Sequence, residues 1–191
     1  MMEYFTTVYY RIEGKQDDLQ KIYNQYQTLL SKKQSEKGDD TCVSESSMVD
    51  GLGIDCKKST LRGNIIRCEF VGDTLSIEAE EDWVTADFRH PLERHYDGMT
   101  IYYMLESYRD ETYATNDVEG KYFPTRVSVD YHLEEPAMAG YERFNSMKEA
   151  LDYFARILKR DTLTIEDIDR WNQEHWKVGF IYLNKFEVEQ Q

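Results

Sequence analysis

A two-residue turn, Gly72-Asp73, separates two runs of β-prone residues and constrains this chain more than any other short feature. Gly accepts positive φ and Asp tolerates it, so residues 62–71 and 74–80 are predicted to fold back on each other as a hairpin. Alternation places Leu75, Ile77 and Ala79 on the buried face of the second strand and Thr74, Ser76 and Glu78 on the other. In the first strand Ile66, Cys68 and Phe70 form the expected inward set. A helix follows over residues 85–96, with Phe88, Leu92 and Tyr96 at i, i+4 and i+8. Pro91 lies inside that window and predicts a kink or a regular start near His90, because proline lacks the N–H donor and crowds the preceding turn. Asp97-Gly98 supplies a C-cap. The chain then returns as a strand with Ile101, Tyr103 and Leu105 on one side and Tyr102 and Met104 on the other.

Upstream, residues 4–12 read as a strand with Tyr4, Thr6, Val8, Tyr10 and Ile12 on one face. Beyond Glu13-Gly14 the period changes, and Leu19, Ile22, Tyr23, Tyr26, Leu29 and Leu30 define an amphipathic helix over residues 16–30. The order strand, helix, strand, strand, helix, strand is the ferredoxin-like split β-α-β pattern: an α+β fold whose antiparallel sheet carries both helices on one face. Strands at 111–116 and 122–131 are expected to extend it as a β-meander. Residues 31–59 read as a long polar connection of mobile character, with a short element near residues 47–52.

Residues 132–141, with Pro136 and Gly140, read as an irregular linker. Ser146-Met147-Lys148-Glu149 is a capping box, and Met147, Ala150, Leu151, Phe154, Ala155 and Leu158 continue it as an amphipathic helix. Thr164 opens a second helix, and residues 176–188 alternate Trp176, Val178, Phe180 and Tyr182 against Lys177, Gly179, Ile181 and Leu183 as a final strand. The expected organisation is a ferredoxin-like core over 1–131 and a helix-helix-strand extension over 132–191 packed with it as one globular unit.

Residues 62–131 carry a resemblance. The Arg62-Gly63 entry, Gly72-Asp73-Thr74-Leu75-Ser76-Ile77, Trp83, Ile101-Tyr102-Tyr103, the stretch from Asp117 to Gly120 and Tyr122-Phe123-Pro124 resemble an uncharacterised family of plasmid-, phage- and bacteroidete-borne proteins with a ferredoxin-like domain. The resemblance implies a fold and a mobile-element origin, and it carries no activity and no catalytic residues.

The 191 residues include 14% aromatics, 15 of them tyrosines, and carry a net charge of −14. The aromatics exclude a disordered chain. The charge argues against direct binding to nucleic acid or to an anionic membrane surface. Between Ser76 and Gly120 there are 12 acidic and 3 basic side chains, so the charge is concentrated there. Cys42, Cys56 and Cys68 lack CxxC spacing and suit reduced thiols in a cytoplasmic protein. No apolar run reaches the roughly 20 residues of a membrane span, and the N-terminus shows no secretory signal.

The search for chemistry yields no catalytic, cofactor-binding or metal-ligating set. His90 and His95 are five apart, about 140° around a helix, and do not share a face. Glu78, Glu80, Glu81 and Asp82 have the density of paired carboxylates, and a solvated strand end explains them. Cys68 reads as a buried structural thiol. The chain has no P-loop, GxGxxG, GxSxG or HExxH motif.

If both helices cover one face of the sheet, Phe5, Tyr9, Ile65, Arg67, Tyr102 and Met104 lie on the other, and an apolar face of that size is seldom left bare on a monomer. The C-terminal helices, a second copy of the chain or another protein would cover it. The sequence therefore predicts a non-catalytic interaction module with a protein partner or self-association. Two other readings stay open. One is an acidic inhibitor that imitates nucleic-acid phosphate through Glu80, Glu81, Asp82, Asp110, Glu111 and Asp117; the other is a carboxylate-based hydrolase.

Overall fold

The computed structural model describes residues 6–37, 42–55, 61–82 and 84–189. The chain divides into two compact units, Met1–Asp117 and Val118–Gln190.

In the first unit, strand β1 (Thr6–Glu13) is followed by helix α1 (Gln16–Lys37), a short strand β2 (Val43–Ser44) and helix α2 (Glu45–Gly51). The hairpin β3 (Gly63–Val71) and β4 (Thr74–Glu81), helix α3 (Arg89–His95), and strands β5 (Thr100–Ser107) and β6 (Thr112–Thr115) complete it. Within this unit the strand order is β6-β5-β1-β4-β3-β2, with every neighbour antiparallel. Its central four strands, β5-β1-β4-β3, are the ferredoxin-like arrangement that the split β-α-β reading requires. Val8, Tyr10 and Ile12 of β1, Leu19 and Ile22 of α1, and Phe88 and Leu92 beside and within α3 are all fully buried in one cluster, so both helices cover the same face. Asp17 and Asp18 lie in the first turn of α1, where the helix dipole favours negative charge. Pro91 is the third residue of α3, where an N–H has no intrahelical partner to lose, and the regular helix begins at Arg89. Gly72 and Gly98 take the positive φ their turns demand.

Two strand assignments differ from the sequence reading. A bulge between Ile65 and Arg67 inserts Ile66 as an extra residue, so Ile65 pairs with Ala79 and Cys68 with Ile77. The extra residue reverses the parity: Ile65 is fully buried on the helix side and Ile66 is exposed. Of the expected meander, β6 joins β5, whereas the second strand, β7 (Val127–Leu133), belongs to another sheet. The polar connection is also shorter than expected, because α1 continues to Lys37 and α2 occupies part of it.

In the second unit, β7 pairs with β8 (Met138–Phe144) on one side and β9 (Phe180–Lys185) on the other. Helices α4 (Met147–Ile157) and α5 (Ile165–His175) lie between β8 and β9 in the chain. The expected boundary at Tyr131/His132 thus falls inside a strand. Residues 138–141, read as linker, are strand, and Gly140 fits there because its partner Tyr131 covers it: an added Cβ would lie 3.0 Å from the Tyr131 hydroxyl. Phe154, Ile168 and Trp171 belong to the C-terminal helices that the sequence offers as one cover for the first sheet. They join Val127, Val129, Tyr131 and Ile181 in a core of their own. Ser146 and Thr164 cap α4 and α5 through the backbone N–H groups of Glu149 and Asp167. No helix among the described residues is long and apolar enough to cross a membrane.

Candidate functional site

Strand parity does something in the first unit that composition does not suggest. The inward series Leu75, Ile77, Ala79 continues to Glu81, which is 4% exposed. Register brings a second carboxyl to it. Ser44 of β2 pairs with Asn64, so the next residue, Glu45, falls opposite Gly63, and Gly63 pairs with Glu81. Glu45 is 1% exposed and its Oε2 accepts the Gly63 N–H at 3.2 Å. Glycine at 63 leaves room for this contact, because a Cβ there would lie 2.6 Å from the Glu45 carboxyl carbon and displace it. Glu81 accepts the Tyr10 hydroxyl at 2.5 Å and the Thr85 hydroxyl at 3.3 Å.

Two carboxylates in a core cost several kcal/mol each in lost hydration, so binding a proton is the cheaper solution. Burial, reinforced by the charge of Glu81, raises Glu45 to about 9, and burial raises Glu81 to about 7. The Oε1 of Glu45 meets no N–H or O–H donor, which is resolved when Glu45 itself carries the proton and donates it to Glu81. Burial and then Glu81 raise the Tyr10 hydroxyl well above its ordinary value. Asp87 pushes both carboxyl groups up, and Arg89, whose guanidinium lies 4.9 Å from the centre of the Tyr103 ring, pulls the Tyr10 value down. The cluster can hold a proton and pin α2 to the sheet. At 1% and 4% exposure it offers a substrate no way in.

The second unit presents the contrasting arrangement. Along β9, Ile181 and Leu183 pack inward, which turns Phe180 and Tyr182 outward. His132 is the register partner of Phe180, and their rings stack at 6.2 Å; Phe180 stacks on Tyr182 at 4.7 Å. Trp176 at the end of α5 is 72% exposed and Tyr182 is 56% exposed, with Val178 also exposed between them in sequence. The Lys177 ammonium lies 5.0 Å from the centre of the Trp176 ring. Gly179 permits the turn to pass close by, since a Cβ there would lie 2.6 Å from the His132 carbonyl oxygen. Asn172 fixes the strand to α5: its side-chain amide donates to the Ile181 carbonyl and accepts the Ile181 N–H, both at 2.8 Å. These residues line an open cavity of about 250 Å³.

The residues singled out from the sequence are distributed otherwise. Phe5 lies outside the described residues, as does Trp83. Ile65 is core, Met104 is 5% exposed, and Tyr9 and Tyr102 are half-buried. Arg67 is exposed beside Glu78, 4.0 Å away. Among the described residues of this set there is no single bare apolar face. Of the acidic set, Asp82, Asp110 and Glu111 are exposed and Glu80 is half-buried, while Glu81 and Asp117 are buried. Cys68 is buried and its thiol is pushed up to about 12 by that burial. Among the described residues no three His, Cys, Asp or Glu side chains gather as a metal ion would require.

Comparison with protein-family models, with curated proteins and with solved structures finds no match.

Proposed function

We propose that the chain is a non-catalytic binding module that engages a protein partner through the aromatic edge of its second unit. The observation that carries this reading is the exposure of Trp176 and Tyr182 side by side with Val178 and Phe180. Trp and Tyr are the residue types that dominate binding energy at protein interfaces. A cavity of about 250 Å³ is below the roughly 300–1,000 Å³ that encloses a small molecule, and it suits a side chain inserted from a partner. The net charge of −14 disfavours nucleic acid as the occupant.

The two other readings fare less well. Imitation of phosphate needs a continuous acidic stripe, and Glu81 and Asp117 are buried. Hydrolysis needs carboxylates that a substrate can reach, and the converging pair Glu45 and Glu81 is sealed. A cytoplasmic, mobile-element setting accords with the buried thiol of Cys68 and with the resemblance of residues 62–131.

The test is a photo-crosslinking residue at position 182 of the full chain, expressed in the native host, with position 69 as the control. A protein joined from 182 and not from 69, and bound by the purified chain about tenfold more weakly after Trp176→Ala with an unchanged melting temperature, supports the reading. Adducts shared by both positions, adducts only with another copy of the chain, or an affinity indifferent to Trp176→Ala and Tyr182→Ala would overturn it.

A further inference from the structure

A second cavity of the same unit, about 440 Å³, is lined by Glu135, Pro136, Leu158, Lys159, Arg160, Trp171 and His175 among others. Its volume lies inside the range of sites that enclose small molecules. One wall is flat and aromatic: Trp171 and His175, one turn apart on α5, stack at 4.3 Å with their planes 8° apart. His175 Nδ1 lies 2.8 Å from the Trp171 carbonyl oxygen, so it donates there and the ring is held in place, with Nε2 left for a ligand.

Charge on this lining runs against the rest of the molecule. The lining itself holds Lys159 and Arg160 against one acid, Glu135, in a chain of net charge −14, with Asp167 outside the lining also within electrostatic reach of Arg160. The backbone at Lys159 is unusual as well. Arg160 N–H bonds to Ala155 O at 2.9 Å and Lys159 N–H to Arg156 O at 3.3 Å, the paired bonds with which a helix closes on a left-handed residue. That residue is ordinarily glycine, and here Lys159 occupies it at φ +54. Strain of this kind gathers where a side chain is needed at a fixed place, and the place is the cavity wall.

We infer that this cavity binds a small organic anion with a flat apolar body, its acidic group at Lys159 and Arg160 and its body against the Trp171–His175 stack. The occupant is a low-molecular-weight carboxylate or phosphate, and the site uses none of the side chains assigned to the partner surface.

The full chain is titrated with 2-naphthoate and 1-naphthyl phosphate, and with neutral 2-naphthamide, by calorimetry and by following the indole N–H resonances. Saturable one-to-one binding of at least one anion is expected, about tenfold tighter than the amide, with the Trp171 resonance shifting and that of Trp176 staying in place. Lys159→Gly is the decisive variant. It relieves the left-handed residue, so it melts at or above the temperature of the parent chain, and it binds the anion several-fold more weakly. Equal binding of amide and anions, binding by neither anion, a shift confined to Trp176, or unchanged affinity in both Lys159→Gly and Arg160→Gln would overturn the inference; the probes' carboxylate and phosphate arms show which acidic group is preferred.

Discussion

In the first unit two carboxyl groups are sealed at 1% and 4% exposure, while in the second a tryptophan and a tyrosine stand 72% and 56% exposed. Composition points the other way in both cases, since acids belong outside and aromatics inside. The departures share a cause in strand parity. Glu81 continues an inward series it cannot leave without disrupting β4, and Phe180 and Tyr182 are turned outward because Ile181 and Leu183 already fill the inner face. They differ in what satisfies them. The carboxyl pair finds its donors inside the chain, in Tyr10, Thr85 and the Gly63 N–H, whereas the outward aromatics leave large surfaces in water. An arrangement that is complete in itself reads as architecture, and one left open reads as a place of contact.

The contrast between buried and displayed aromatics can be broken most forcefully at Phe154, which is fully buried and packs edge-on against Tyr131 and Tyr153. Phe154→Ala is expected to remove about 3–5 kcal/mol in urea denaturation. Gly63→Ala comes next. The new methyl group would displace the Glu45 carboxyl from the Gly63 N–H and from Glu81 where no water can receive it, at a cost of about 1–3 kcal/mol.

The pH dependence of stability tests the sealed pair directly. Both carboxyl groups are raised in the folded chain, to about 9 and about 7, from an ordinary 4.5. The folded state therefore binds their protons more tightly than the unfolded state does. Their contribution is complete below about pH 4.5 and is lost as pH rises through about 7 and about 9. Melts across that window should show stability falling by at least about 1.4 kcal/mol, the equivalent of one pKa unit. Glu45→Gln keeps a donor facing Glu81 without a titrating proton, and the decline should flatten in that variant. The smallest effect is expected at Trp176. Trp176→Ala should change stability by no more than about 0.5 kcal/mol, which would mark the residue as one the fold does not need.

Much of the first unit is legible in sequence because its signals are local. The period of Leu19, Ile22 and Tyr26, the Gly72-Asp73 turn and the turn at Gly98 that follows the Tyr96 cap each specify their element within a few residues, and the ferredoxin-like strand order follows from connecting them. What escapes is what depends on partners distant in the chain. The bulge at Ile66 reverses which of Ile65 and Ile66 is buried, and it exists only in relation to β4. Glu81 was within reach, since the parity of Leu75, Ile77 and Ala79 extends to it. Glu45 was not, because its position comes from the pairing of β2 with β3 across residues that carry no periodic pattern. In the second unit Pro136 and Gly140 read as a linker, yet Gly140 is small because Tyr131 lies over it. The aromatic edge was visible as an alternation of Trp176, Val178, Phe180 and Tyr182. Only knowledge of the inner face decides that this row is the outer one.

Each unit also ends a ladder in the same way. Asn172 meets the backbone of Ile181 with both halves of its amide, and in the first unit Asn116 takes the Tyr103 N–H at 2.7 Å and gives to the Ile101 carbonyl at 2.8 Å. A side-chain amide has the donor and acceptor of a peptide group without a chain to continue it. At these two points the rung is filled, so the backbone groups of Ile101, Tyr103 and Ile181 that the amides hold are not offered to a further strand.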